Sequence, residues 1–351
     1  MTNAFTASGL FGDLLSDESF AAEFSARAFT DRMLAFEAAW TRALHATGTV
    51  TADAAAAALA AIDGFDADGI GSAGAADGLP VPAMVTALRS SLPPDAARAI
   101  HTGATSQDVI DTAMALTLLS VLSTLETRLA GIIGLIDTLE QRFGTQPLMA
   151  RTRMQAALPA TVALRLSAWA RPLQEHLTRL EGLRAGIGQV QIGGPIGARD
   201  LPCQLEPGFV GHVARALDLR TGPVWHTDRS AMVSFGHALA LLTGTLGKIG
   251  QDVLLMAQQG VDEIALTSGG GSSAMPHKSN PVAAEALVAI ARFVAAQQGL
   301  LTQAMVHEQE RSGTAWALEW LTLPAMCEAS GAALHHAERL LSSITRMGTP
   351  A

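Results

Sequence analysis

Cysteine occurs only twice in 351 residues, at Cys203 and Cys327. Two residues so far apart make no CxxC pair, zinc knuckle or disulfide framework, which suits a reducing compartment, and a cytoplasmic location is expected. Charge is sparse as well: Asp, Glu, Lys and Arg together make up 16% of the chain, with a net charge of −9. No basic surface is available to neutralise phosphates, so no nucleic-acid partner is expected. The N-terminus, MTNAFTASGLFGDLLSDESF, lacks the basic start and apolar run of a secretory signal. Apolar stretches elsewhere are broken by Arg, Glu, Gln or Gly before the roughly 18 residues a membrane helix needs, so no membrane partner is expected. Familiar cofactor motifs are missing too. Lys278 follows His277 where a phosphate-binding loop requires Gly, HEQER at 307–311 lacks the second histidine of a zinc HExxH, and no GxGxxG follows a strand-like run. Neither a metal nor a nucleotide cofactor is expected.

What the chain has in abundance is apolar helix. With 49% apolar residues it can bury a large core. From Leu118 the apolar positions recur at Leu122, Leu125, Leu129, Ile132, Ile136, Leu139 and Phe143, in alternating steps of four and three. That spacing predicts a helix over 106–143, about 55 Å long at 1.5 Å per residue. Met232, Phe235, Leu239, Leu242, Leu246, Ile249, Val253 and Met256 repeat the steps over 228–259. Weaker patterns predict helices over 159–185, 281–306 and 316–347, with kinks at Pro172 and Pro324. Asn280 followed by Pro281 reads as an N-cap and first helical residue. Apolar residues off the two main seams place these helices inside a bundle. Residues 1–100 read as shorter helices with Pro and Gly breaks, a smaller N-terminal domain ahead of a central long-helix domain over 101–351. The segment QIGGPIGARDLPCQLEPG reads as irregular.

Three polar patches interrupt this framework: HTGATSQD (101–108), ARTRMQAA (150–157) and GGGSSAMPHKSNP (269–281). Long helices can carry distant segments to one place in a bundle. The last patch sets flexible glycines beside Ser, His and Lys.

GSSAMPHKSNP resembles the signature loop of the fumarase/aspartase superfamily, and HTGATSQDVIDTA and RTRMQ resemble its other two motif regions, in the family's order. The resemblance implies an all-α subunit around a central long-helix bundle, a homotetramer with active sites shared between subunits, and addition or elimination beside a carboxylate. The chain ends soon after its fifth long helix, where many relatives continue, so the third, C-terminal domain is expected to be missing. Carried over by position, Ser272 is the implied catalytic base, while Lys278 and Asn280 hold the substrate carboxylate and its enediolate-like intermediate. A serine hydroxyl serves as a base only as an alkoxide held by amides and positive charge. Ser273, Met275 and His277 of the same loop, Thr105, Ser106 and Gln107 of the first patch, Thr152 and Gln155 of the second, and His101 are implied substrate contacts. Plainer roles compete: Thr105 and Asp108 suit a capping box, His277 suits shaping of the loop, Trp316 and Trp320 suit packing, and His335 and His336 suit surface or core.

One departure points to a branch. Where amine- or water-eliminating relatives carry RTH, this chain has Arg153, whose guanidinium stays protonated and cannot give a proton to a leaving group. A carboxylate leaves as a stable anion and needs none. The resemblance, extended by GLPVPAMV and HEQERSGTAWALEW, therefore implies the cycloisomerase branch, which interconverts a carboxylated cis,cis-muconate and its lactone in protocatechuate breakdown. The small polycarboxylate substrate would account for Arg153 and Arg311. Glu285, five residues beyond Asn280, is expected to pair with Arg153 across a subunit boundary, as a supporting group. The alternatives are a lyase of the adenylosuccinate or argininosuccinate type that releases fumarate, and a non-catalytic descendant. The adenylosuccinate pattern has a histidine segment near residue 80 that is absent here.

Overall fold

The computed structural model describes residues 10–67, 70, 74–200, 206–267, 269–271, 275 and 279–350. The N-terminal helices are α1 (Gly12–Leu15), α2 (Glu18–Glu23), α3 (Ala26–Ala46), α4 (Ala52–Asp63), α5 (Val81–Ser90) and α6 (Pro94–Ala97). Next come the long helix α7 (Ser106–Phe143), the strands β1 (Pro147–Thr152) and β2 (Gln155–Thr161), and α8 (Val162–Ile187). After α9 (Phe209–Ala216) the chain forms α10 (Ser230–Met256), the short strands β3 (Ile264–Leu266), β4 (Gly270–Gly271) and β5 (Ser279–Asn280), α11 (Val282–Gln303), α12 (Gly313–Ser342) and β6 (Ile344–Met347). The all-α bundle expected from the periodicity is what the chain forms.

Both main seams are core. Leu118, Leu122, Leu125, Leu129, Ile132, Ile136 and Leu139 are buried, as are all eight seam residues of α10 from Met232 to Met256, whereas Phe143 is partly buried at the end of its helix. Truncating one such leucine to alanine costs about 2–5 kcal/mol, the lost transfer energy plus a cavity. Arg184 of α8 pairs with Glu126 of α7 at 2.5 Å and His176 of α8 bonds Thr245 of α10 at 2.8 Å, so α8 runs antiparallel to both. Between α10 and α11 the backbones approach closely. A Cβ on Gly247 would lie 2.5 Å from that of Ala291, and one on Gly250 would lie 2.7 Å from the Ala284 carbonyl. α12 returns antiparallel to α11, so α7, α10 and α12 share one direction.

The bounds depart from expectation where local chemistry competes with periodicity. Residues 159–161 belong to β2, paired with β1 from Pro147↔Thr161 to Thr152↔Gln155, so α8 starts at Val162. α12 ends at Ser342, because Ile344–Met347 pairs antiparallel with Ile264–Leu266. α11 is capped by Pro281, and Asn280 lies instead in β5 opposite Gly270. Pro172 and Pro324 sit inside unbroken helical spans.

A second core gathers the N-terminal helices. Trp40 of α3 stacks on Phe36 at 5.5 Å and meets Phe209 edge-on at 4.7 Å, and Val109, Ile110, Val190 and Ile192 join them. By length and composition α7, α10 and α11 are apolar enough to cross a bilayer, contrary to the expectation that no segment is; 72% of the most apolar window of α7 is buried within the fold.

α7 also separates the patches. With 38 residues it is about 57 Å long. His101 and Thr105 precede its start, and the β1–β2 hairpin follows its end. The Gly270 loop shares the hairpin's end: Arg151 forms an ion pair with Glu263 just before β3, and the Thr349 amide donates to Pro147 at 2.8 Å.

Candidate active site

The turn leading into α7 is built from left-handed backbone, with φ of 57° at His101 and 85° at Gly103. Asp108, fully buried, closes a capping box by accepting from the Thr105 amide at 3.2 Å. It also accepts from the Gly193 and Gly194 amides at 2.7 and 3.1 Å and from His226 Nε2 at 3.1 Å. A carboxylate with four donors is a structural anchor. It ties the irregular segment after α8 to the start of α7.

Just before it, Gln107 is buried and its amide is committed at both ends. Its Nε2 donates to Asp111 at 3.1 Å and to the His226 carbonyl at 2.8 Å, while its Oε1 accepts from Arg311 Nε at 2.8 Å. Arg311 Nη2 donates to Thr105 Oγ1 and to the Pro195 carbonyl, both at 3.2 Å. Two residues expected from distant motifs, in the first patch and in HEQER, are therefore brought together with Thr105. Arg311 is exposed, and its Nη1 has no protein partner among the described residues. Ser106 is half-buried beside them at the head of α7.

Behind Gln107 lies a charged core that the sequence reading missed. Arg229, with its side chain fully buried, makes two bonds to Asp111 (2.8 and 3.0 Å) and two to Glu319 (2.7 and 2.6 Å). Trp316 Nε1 donates to Asp111 at 2.9 Å, so this aromatic packs and also holds the network, with Trp320 against it at 4.7 Å. Burial alone would lower the Arg229 pKa, but Asp111 and Glu319 outweigh it and hold it above the ordinary value. Burial raises that of Glu319. His307, from the HEQER stretch, has both ring nitrogens shielded and without partners among the described residues, and burial and then Arg229 push its pKa down. No spacing rule links Asp111, Arg229 and Glu319. Their only sequence signal is charge within otherwise apolar helical stretches. Of the two C-terminal histidines, His336 is buried and donates to the Leu14 carbonyl at 2.7 Å, whereas His335 is exposed.

At the opposite end, RTRMQ forms a two-residue hairpin turn. Thr152 pairs with Gln155, and the residues between them, Arg153 and Met154, both have positive φ, 51° and 66°. Gly and Asn favour such a turn; Arg and Met adopt it under strain, which is the kind of outlier that collects at functional sites. Thr152, Arg153 and Gln155 are all exposed. A cleft of about 400 Å³ beside the tip is lined by Arg151, Arg153, Arg165 and Lys248. Glu263 and Asp252 engage Arg151 and Lys248. Glu285, in the first turn of α11, is exposed, and within one chain it forms no ion pair with Arg153 among the described residues. Of the loop residues, Asn280 is half-buried in β5 and Met275 is exposed, while Ser272, Ser273, His277 and Lys278 lie outside the described residues.

A family model described as lyase matches residues 12–296. The chain is 34% identical over 353 residues to a 3-carboxy-cis,cis-muconate cycloisomerase of Acinetobacter baylyi, covering 97% of this chain and 77% of the relative. A Pseudomonas aeruginosa protein of the same name is 36% identical, covering 92% and 72%. A nitrosuccinate lyase of Streptomyces davaonensis is 32% identical, covering 97% and 76%. Among solved structures, a 3-carboxy-cis,cis-muconate lactonizing enzyme from Pseudomonas putida superposes with a TM-score of 0.87 at 32% identity, covering 96% of this chain and 77% of that one. Motifs, bundle and relatives agree: the chain belongs to the lyase family of the fumarase/aspartase superfamily.

Proposed function

We propose that the chain interconverts 3-carboxy-cis,cis-muconate and 4-carboxymuconolactone, without a cofactor. In lactone formation one substrate carboxylate oxygen bonds to the ring-forming carbon, and the adjacent carbon takes one proton from Ser272. In the reverse direction Ser272 removes that proton, the C–O bond breaks, and the carboxylate leaves as an anion. Lys278 and Asn280 hold the carboxylate beside the reacting carbon, where charge develops. Thr105, Arg311 and the hairpin tip hold the others.

The observation that carries this reading is Arg153. It occupies the tip of the strained turn, in a cleft with three further cations. A guanidinium there cannot donate a proton to a leaving group but can bind and orient a carboxylate. The names of the relatives support the same substrate.

The complete site is assembled between copies of the chain, in a homotetramer. The patch at His101, Thr105 and Arg311 lies at one end of α7, and the hairpin and the Gly270 loop lie at the other, about 57 Å away along a 38-residue helix. Only a second copy running antiparallel brings the two ends together. The exposed Phe293, Leu300, Met305 and Val306 on and just after α11 give such packing an apolar surface.

An ultraviolet assay of purified protein tests the substrate. Consumption of 3-carboxy-cis,cis-muconate is expected, with no fumarate from adenylosuccinate or argininosuccinate and no elimination from nitrosuccinate. Turnover of any of those three with none of the muconate would overturn the assignment.

A further inference from the structure

We propose that Glu37 is a positioning residue for His101, fixing the imidazole so that Nε2 is the ring atom presented to a substrate carboxylate. The proposal rests on reading the turn before α7 as part of the active site.

Glu37 lies on the buried face of α3 with Met33, Phe36, Trp40 and Leu44, and it is 0% exposed. A carboxylate among such neighbours is costly unless it is paired, and a purely packing role would be filled by an apolar side chain. The partner it has is His101 Nδ1, at 2.5 Å from Oε1, while its Oε2 has none among the described residues. An ionised carboxylate only accepts, so Nδ1 carries the proton of this bond.

The backbone under the ring is pinned as firmly. Thr41 donates to the Ala99 carbonyl at 2.8 Å, Arg89 donates twice to that of Ile100 at 3.2 and 2.7 Å, and Trp40 Nε1 donates to that of Thr102 at 2.9 Å. His101 is held in the left-handed region, with φ of 57°, which a non-glycine residue keeps only when its surroundings impose it. Three side chains of the N-terminal helices and one buried carboxylate thus set both the position and the rotation of one ring. With Nδ1 committed, Nε2 has no partner among the described residues, and the side chain is 14% exposed. Thr105 lies one tight turn along the chain, and Arg311, distant in sequence, donates to it. When Nε2 also donates to a substrate carboxylate, the ring carries both protons and Glu37 supplies the balancing negative charge behind it.

The test is a double-mutant cycle with a spectroscopic arm. Glu37→Gln is expected to raise KM for 3-carboxy-cis,cis-muconate about tenfold, the loss of one charge-assisted hydrogen bond, with kcat changed far less. In a His101→Ala background the same substitution should add less than about twofold, because Glu37 acts through the ring. An equal effect in both backgrounds, or an unchanged KM, overturns the proposal. Should Glu37→Gln fail to fold, histidine-selective 15N spectra of the wild-type protein decide. The signal that His101→Ala removes should be an Nδ1–H; a His101 ring with its proton on Nε2 and a bare Nδ1 overturns the proposal. That readout needs no turnover, so its failure is distinct from failure of the proposed reaction.

Discussion

Arg153 concentrates the functional reading in a single side chain. If its charge orients a carboxylate, Arg153→His should lower turnover of 3-carboxy-cis,cis-muconate at least about tenfold, since a bond to a charged group is worth roughly 1.5–3 kcal/mol. It should create no amine-eliminating activity. Fumarate release by the variant, or cycloisomerase activity equal to wild type, would refute that role. Arg229 makes a different demand. Arg229→Met leaves Asp111 and Glu319 facing each other in the core without their cation, and a loss of about 3–5 kcal/mol in urea unfolding is expected. A loss below about 1 kcal/mol would mean that the buried network is not held as its distances suggest. At this scale motifs picked out residues that the fold brings together, as with Thr105 and Arg311, which bond to each other. The sequence was not legible for Arg229, whose partners lie 118 residues before it and 90 after it. Pairing across such separations follows from the packing and leaves no local pattern.

The long helices were readable because a seam that repeats from Leu118 to Phe143 has no other way to bury itself. Their ends were less so. Residues 159–161, expected to open a helix, instead end the strand QAALPAT, which pairs with PLMART, a choice made by its neighbour. Ile344 and Thr345, which are β-branched, close a ladder with Ile264–Leu266 in the same way. The short N-terminal helices depend on caps and docking. Asp17 accepts from the Ser19 and Phe20 amides at the start of α2 and forms an ion pair with Arg128 of α7 at 2.5 Å. Burial alone would raise its pKa, but the bonds from Arg128 and Ser19 outweigh that and hold it below the ordinary value. A carboxylate lowered in the folded state adds stability that is full above its unfolded pKa, near 3.9, and is lost as pH falls through the lower folded value. Asp17→Asn should therefore destabilise the protein at pH 7, and the difference from wild type should shrink as pH falls below about 4. Urea midpoints for the two proteins at both pH values measure this. A difference that grows at low pH would contradict the assigned sign.

For the whole molecule, the governing fact is the length of α7, which keeps the turn at His101 and Thr105 and the β1–β2 hairpin at opposite ends of one long helix. The periodicity gave that length directly, but the proposed union of the two ends involves a second copy, which no pattern within one chain records. The reading of Arg153 with Glu285 depends on the same arrangement, since the two do not pair within one copy. Subunit complementation tests it most directly. Arg311→Ala and Ser272→Ala, each inactive alone, should recover turnover of 3-carboxy-cis,cis-muconate when co-expressed, because some shared sites then draw an intact Arg311 from one copy and an intact Ser272 from another. Random mixing of equal amounts restores about a quarter of the sites. Mixed assemblies verified by mass that stay as inactive as their parents would contradict a site built between copies.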